Sequence, residues 1–400
     1  MNFRIGSKSI LIIPLVIIVG LFHSCRSADE NTALIKNLEG AMDSIKTAFV
    51  PDRRVQIFDF NIPADGTRIT GRSSNQEAYE RVHLLSKKYP ELDLDSFEFV
   101  QPIDQALINV SVGNMRSNPK HSAELATQIL MGQEVTVWDK KGSWYYIQSP
   151  DNYLAWIDAG ALVFPGKSEL ETYHQAEKTM YRNDFGFCYE EANTESPVVS
   201  DLVAGNVLRV TGRQTPFVKV KLPDGREGYV PDDELRLLKD IAQASLPDWP
   251  QIKKTAYQFM GRPYLWGGTS GRGVDCSGFT KMVYYLNGMQ LPRDASQQVH
   301  SGIDVPLDDD LSQLQPGDFL FFGERRENGK GDRITHVGIY LGDGKMIHSS
   351  ERVQVQSLRP GDPDYVAHRR NTLLSARRLI LDDSLAQGVE LLKNKPEYGF

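Results

Sequence analysis

Hydrophobic and polar positions follow several distinct patterns along this chain. Ile10 to Phe22 is almost wholly apolar, 13 residues preceded by Arg4 and Lys8. A membrane-spanning helix needs roughly 20 such residues, so the pattern predicts the core of an export signal. Leu34, Leu38, Met42, Ile45 and Phe49 then recur at near-helical spacing up to Pro51, which predicts one amphipathic helix. A strand is expected over Val55 to Phe60, a short second strand near Arg68–Thr70, and a helix from Asn75 to Lys88 that stops before Pro90. Nothing in residues 26–105 carries a functional signal.

A weak internal repeat follows. Residues 107–162 contain Met115-Arg116, the alternating run Leu130 to Val137, the aromatic strand Trp144 to Ile147 and the closing strand Tyr153 to Ile157. Residues 179–237 repeat that order with Met180-Tyr181, Leu202 to Val210, Phe217 to Val220 and Gly228 to Val230. Turns fall at Ser149-Pro150-Asp151-Asn152 and Pro223-Asp224-Gly225. Short alternating strands at regular spacing predict small β-barrels. The pattern resembles bacterial SH3-like domains, which often bind cell-wall peptides. The alternative is that they are packing modules for the domain that follows.

Pro247 to Pro250 punctuates the last boundary. Ile252, Thr255, Ala256 and Phe259 predict a helix ended by Gly261 and Pro263. Gly261, Gly267, Gly268, Gly271 and Gly273 predict close backbone approach. A helix begins near Cys276, with Phe279, Val283 and Leu286 on its apolar face and Asn287-Gly288 at its end. Phe319 to Phe322 reads as a buried strand. His336 to Leu341 and Lys345 to Ser350 read as a hairpin around Gly342-Asp343-Gly344.

Charge and cysteine usage narrow the function classes. The 400 residues carry a net charge of −7, which argues against nucleic acid or an anionic surface as main partner. The cysteines are Cys25, Cys188 and Cys276. They form no disulfide framework and no CxxC pair, so no metal site is expected. Cys188 reads as a buried small hydrophobe. Leu21-Phe22-His23-Ser24-Cys25 resembles a bacterial lipobox. That resemblance implies acylation of Cys25 and membrane contact through this end alone; plain secretion or a retained anchor helix are the alternatives.

The chemistry centres on Asp275-Cys276-Ser277-Gly278-Phe279. A cysteine opening an apolar helix, with a histidine on a later strand, is how a thiolate–imidazolium pair is built. Asp275 stands at the N-cap position. The helix dipole is expected to lower the Cys276 pKa. A carboxylate facing the sulfur would oppose that, so Asp275 is expected to point elsewhere, toward backbone N–H groups or a cationic part of the substrate. A three-residue loop at 342–344 would set Gly338 opposite His348 and His336 diagonal to it, within side-chain reach. His336 is then the general base and His348 the residue that orients its ring. Trp266 reads as packing, and Arg293 reads as a residue that positions a loop, with no chemistry assigned.

Pro-Tyr-x-Trp-Gly-Gly from Pro263, Asp-Cys-Ser-Gly-Phe, Leu291-Pro292-Arg293, Pro316-Gly317-Asp318 and His-Val-Gly-Ile-Tyr from His336 together resemble the NlpC-type cysteine peptidases of bacterial cell walls. The resemblance implies an α+β chain: a papain-like catalytic domain behind two SH3-like barrels and a small N-terminal α/β region. The expected divisions are 1–25 lipoprotein signal, 26–105 N-terminal region, 106–165 and 166–240 the barrels, and 241–400 the peptidase domain. It makes Cys276 the nucleophile, His336 the base and His348 the third polar residue, with Tyr264 near the sulfur. The implied reaction is hydrolysis of the D-γ-glutamyl bond to diaminopimelate or lysine in peptidoglycan stem peptides or muropeptides. SH3-like domains in front resemble the subgroup acting on a free N-terminal L-alanine. There Asp275 and Ser277 would contact the amine, and Glu124 and Tyr153 would supply the barrel's acid and aromatic. Each has a plainer alternative: cap, first-turn residue, solvated acid or core aromatic. No cofactor or metal is implied. A monomeric, membrane-anchored envelope lipoprotein facing the periplasm is expected. Two other functions stay open: an amidase or acyltransferase on another amide, and a wall-binding scaffold.

Overall fold

The computed structural model describes residues 28–244, 246–327, 331–381 and 384–398. Cys25 and the apolar run before it lie outside them. The chain forms two units, one of residues 28–51 with 58–99, the other of 52–57 with everything from Val100.

In the first unit, helix Ala28–Phe49 carries the predicted stripe. Leu38 and Met42 share a core with Phe58, Ile69, Val82 and Phe97. Strands Phe58–Asn61 and Thr70–Ser73 pair antiparallel, and Phe97–Phe99 adds a parallel edge. Asn75 caps helix Gln76–His83, its side chain accepting from the Ala78 N–H. The first strand starts three residues later than expected because Arg54 and Val55 are engaged elsewhere. Both residues belong to the second unit, within which their carbonyls accept from the Leu154 N–H and the Gln148 amide.

Both repeats fold as seven-stranded antiparallel SH3-like barrels, from Asp104–Ile108 to Leu162–Val163 and from Lys178–Tyr181 to Leu235–Leu237. Alternation puts Ile129, Val135, Ile147 and Ile157 inside the first, and Leu202, Leu208, Val218 and Val230 inside the second. Cys188 is fully buried in that second core, as expected, and burial pushes its thiol up to about 12.

The last domain lays helices against one antiparallel sheet. Its strands are β1 (Ile303–Val305), β2 (Phe319–Glu324), β3 (Arg333–Gly342), β4 (Lys345–Ser350), β5 (Arg352–Ser357) and β6 (Leu373–Arg378), in the order β1-β6-β2-β3-β4-β5. Helix α1 (Trp249–Gln258) starts at an Asp248–Gln251 capping box. Helix α2 (Cys276–Tyr285) is buried almost throughout. Its Phe279 meets Phe259 edge-on, and Tyr284 meets Phe319. Two short helices, α3 (Ala295–Gln298) and α4 (Ala367–Thr372), border the sheet.

The β3–β4 hairpin corrects the expected loop. Gly342 pairs with Lys345, so the loop has two residues, Asp343 and Gly344, at φ 52° and 72°. An Asp-Gly pair with positive φ is the preferred two-residue hairpin closure. The extra residue sits instead in a bulge at Leu341, after which Tyr340 pairs with Met346 and Ile339 with Ile347. The bulge shifts register by the residue the loop lacks, so Gly338 still lies against His348. A Cβ on Gly338 would stand 3.1 Å from the His348 Cβ.

Candidate active site

The start of α2 is fixed by Asp275. Its Oδ1 accepts from the Gly278 N–H at 2.7 Å and its Oδ2 from the Gly267 N–H at 3.0 Å. Gly278 cannot be anything larger, since a Cβ there would lie 2.0 Å from the Gly268 carbonyl oxygen. The rest of the carboxylate faces Arg293, whose Nη2 lies 2.6 Å from Oδ2. Arg293 is 1% exposed and also donates to Ser277 Oγ at 3.1 Å and to Thr127 Oγ1 of the first barrel at 2.7 Å. Asp275 thus points to backbone N–H groups, as expected, and to a buried arginine that was expected only to position a loop.

Cys276 is 8% exposed at the first position of α2. Burial, and after it the Asp275 carboxylate, pushes its thiol up to about 11, while the Val337 and Ser277 N–H groups and Arg293 pull it down. His336 is 6% exposed. Burial draws its pKa well below the usual range, with Arg369, His348 and His368 adding to the effect. Both directions favour the uncharged forms of thiol and imidazole, which corrects the lowered thiol pKa expected from the helix end. The helix end does not outweigh desolvation in a pocket this closed.

His336 Nε2 lies 2.7 Å from His348 Nδ1, and His348 Nε2 lies 2.8 Å from Gln356 Oε1. The imidazoles meet edge-on at 89°. With Gln356 Oε1 as acceptor, His348 Nε2 donates and its Nδ1 accepts from His336 Nε2–H. Nδ1 of His336 is left with a lone pair for the thiol proton. Gln356 was not found from the sequence, because it depends on the β4–β5 register, in which His348 faces Gln354.

Tyr264 is half-buried, and burial followed by Cys276 and Asp275 holds its phenol protonated. Glu124 is exposed and accepts from the Trp266 indole N–H at 2.7 Å. Trp266 is 64% exposed, so it is not the packing residue expected. Tyr153 is buried, with its hydroxyl 3.3 Å from Asp294 Oδ2, an oxygen that also takes Arg54 Nη1 at 2.8 Å. Asp275, Ser277 and Tyr264 therefore gather around Cys276, whereas Glu124 and Tyr153 bond to catalytic-domain side chains beside that group.

The first barrel is built onto the segment leading to Cys276. The Gln128 N–H donates to Thr269 Oγ1, and Gln128 Oε1 accepts from the Thr269 N–H and Ser270 Oγ. Lys281 of α2 pairs with buried Asp151 at 2.5 Å. At φ 76°, Gly267 comes so near the Leu125 carbonyl that a Cβ would lie 2.3 Å from it. Among the described residues no group of three or more His, Cys, Asp or Glu side chains could hold a metal, and no helix is long and apolar enough to cross a membrane. A buried thiol reached by the N–H of Val337, the residue after His336, can attack a carbonyl once an imidazole takes its proton.

The NlpC/P60 family profile matches residues 261–370, a bacterial dipeptidyl-peptidase SH3 domain profile matches 115–162, and a bacterial SH3 domain profile matches 184–236. A gamma-D-glutamyl-L-lysine dipeptidyl-peptidase of Bacillus cereus is 32% identical over 260 residues, covering 61% of this chain and 73% of that protein. The Bacillus subtilis protein of the same name is 33% identical over 233 residues, 56% of this chain and 72% of its own. The crystal structure of an NlpC/P60 family protein from Bacillus cereus superposes with a TM-score of 0.58 at 27% identity, covering 69% of this chain and 99% of that one.

Proposed function

The chain belongs to the NlpC/P60 family of cysteine peptidases, and from that premise we propose that it hydrolyses the γ-D-glutamyl bond to lysine or diaminopimelate in peptidoglycan stem peptides with a free N-terminal L-alanine. One observation carries this reading: the barrel matched by the dipeptidyl-peptidase SH3 profile bonds to the arginine that holds Asp275 and Ser277, through Thr127–Arg293, and to the segment leading to Cys276, through Gln128–Thr269. That wall supports a short pocket for a peptide end rather than an open groove.

The steps follow from the geometry. Cys276 Sγ attacks the γ-carbonyl carbon as His336 Nδ1 takes the thiol proton, so charge separates only as the carbon–sulfur bond forms. His348, held by Gln356, keeps the ring oriented and accepts the hydrogen bond from Nε2. The Cys276 N–H and Tyr264 hydroxyl stabilise the oxyanion. His336 then protonates the leaving amine and activates the water that opens the thioester. Asp275, Ser277, Glu124 and Tyr153 are the candidate amine-reading groups. Arg293 already occupies Asp275 and Ser277, so their part is to shape that end while the ammonium bonds to whatever acceptor capacity remains.

Mass spectrometry of digests of L-Ala-γ-D-Glu-diaminopimelate and its N-acetylated form tests the reading. Cleavage of the free-amine peptide alone is expected. Equal cleavage of both would remove the amine requirement, and cleavage of neither would favour another amide as substrate. The apolar run Ile10–Phe22 and Cys25 support an exported, lipid-anchored form in the cell envelope. Cys25→Ala should then move the protein from the membrane to the soluble fraction.

A further inference from the structure

Arg369 stands on α4 over the same sheet face as the two histidines. Its guanidinium carbon lies 5.7 Å from the centre of the Phe322 ring. That ring lies 5.7 Å from the His336 ring, and Phe322 and His336 are cross-strand partners. Nη2 of Arg369 is 3.4 Å from Ser350 Oγ, two residues beyond His348 on β4. The neighbouring arginines have partners: Arg370 donates to the Asp309 carbonyl, Arg377 pairs with Asp304 through Nη1, and Arg378 pairs with Asp318. Among the described residues no carboxylate pairs with Arg369. A half-buried guanidinium with one long hydroxyl contact is costly to hold without an anion.

The cation also works against the catalytic base. Arg369 is, after burial, the leading cause that lowers the pKa of both His336 and His348. The same guanidinium is drawn to negative charge on Cys276 and Tyr264, so it favours an anion in the site while it discourages protonation of the base. Resting on the reading above, we propose that Arg369 binds a carboxylate of the substrate peptide next to the scissile bond. A γ-linked glutamyl residue leaves its α-carboxylate free a few bonds from the attacked carbon. A tripeptide substrate also ends in a free carboxylate on the diamino acid. Either would form a charge-assisted, two-pronged contact with the guanidinium. Its arrival would cancel the charge facing His336, so that the imidazole accepts the thiol proton more readily once the correct peptide is seated. Arg369 is then a specificity residue that ties substrate recognition to activation of the base.

The test compares kcat/KM on L-Ala-γ-D-Glu-L-Lys, on its analogue with the glutamyl α-carboxylate converted to carboxamide, and on its analogue with the C-terminal carboxylate amidated. The full-length protein and its Arg369→Gln and Arg369→Lys variants are each assayed. In the unmodified protein, one amidated peptide should lose about tenfold to a hundredfold, and which one identifies the carboxylate read. Arg369→Gln should lose a similar factor on the parent peptide, erase its preference over that analogue, and shift the acid limb of its pH profile upward. Arg369→Lys should restore part of the preference. The inference is overturned if the unmodified protein cleaves all three peptides equally, which needs no variant to fold. It is also overturned if Arg369→Gln slows all three by one common factor. Failure to cleave the parent peptide at all would instead refute the functional reading, and this inference with it.

Discussion

Arg293 holds Asp275 in a buried pair, 2.6 Å from Nη2 to Oδ2, with the arginine 1% exposed. The pair lets a carboxylate cap the helix that begins at Cys276 while limiting its charge at the sulfur, because Arg293 lowers the thiol pKa that Asp275 raises. Removing one partner of a buried pair leaves an uncompensated charge and costs about 3–5 kcal/mol. Arg293→Met should therefore destabilise the protein by that order and push the Cys276 thiol higher. Adding Asp275→Asn, which keeps a capping oxygen, should recover a substantial part of the loss. Urea unfolding of the two single variants and the double variant checks the coupling; additive losses would refute it.

Gly338 faces His348 across the β3–β4 hairpin. A methyl group there meets the His348 Cβ at 3.1 Å and the Ile347 carbonyl oxygen at 3.3 Å. Both neighbours belong to one strand and cannot both yield. Gly338→Ala should cost roughly 1–3 kcal/mol of stability. It should also reduce kcat more than KM, because the shift falls on the 2.7 Å contact that orients His336. Steady-state kinetics with a thermal melt separate the two effects.

The buried histidines set the acid side of stability. His348 is held at about 4 against an ordinary 6.5, by burial first and then by Arg369. Between those values the unfolded chain binds a proton that the folded chain refuses. Stability therefore falls as pH drops from 6.5 toward 4, by roughly 3 kcal/mol from this group. His336 acts in the same direction. Cys276 acts on the alkaline side, since its thiol moves from 9.0 to about 11. The unfolded thiol ionises first, and stability falls as pH rises through that range. Melting temperatures across the pH range should form a plateau between about 6.5 and 9. His348→Gln should flatten the acid shoulder.

The pattern of residues showed much of this in advance, for reasons that can be named. Period-two alternation and turn residues marked both barrels, and an aspartate before an apolar helix marked the cap at Asp275. The hairpin register came out right although the loop did not, because the bulge at Leu341 takes up the residue assigned to the loop. Arg293, Gln356 and Arg369 were missed because their partners lie far off in sequence or depend on register. Arg293 meets Thr127 across 166 positions. Trp266 was misread because its partner, Glu124, comes from another domain. The thiol's pKa was misjudged because sequence shows the helix end but not the depth of burial.

Trapping the acyl-enzyme tests the role of Cys276 most directly. The protein would be mixed with L-Ala-γ-D-Glu-L-Lys, quenched in acid within one turnover, and its peptides weighed. An L-Ala-γ-D-Glu acyl group in thioester linkage is expected on the peptide carrying Cys276, with lysine released in equal amount, and neither in Cys276→Ala. Lysine release without that adduct, surviving in Cys276→Ala, would contradict that role.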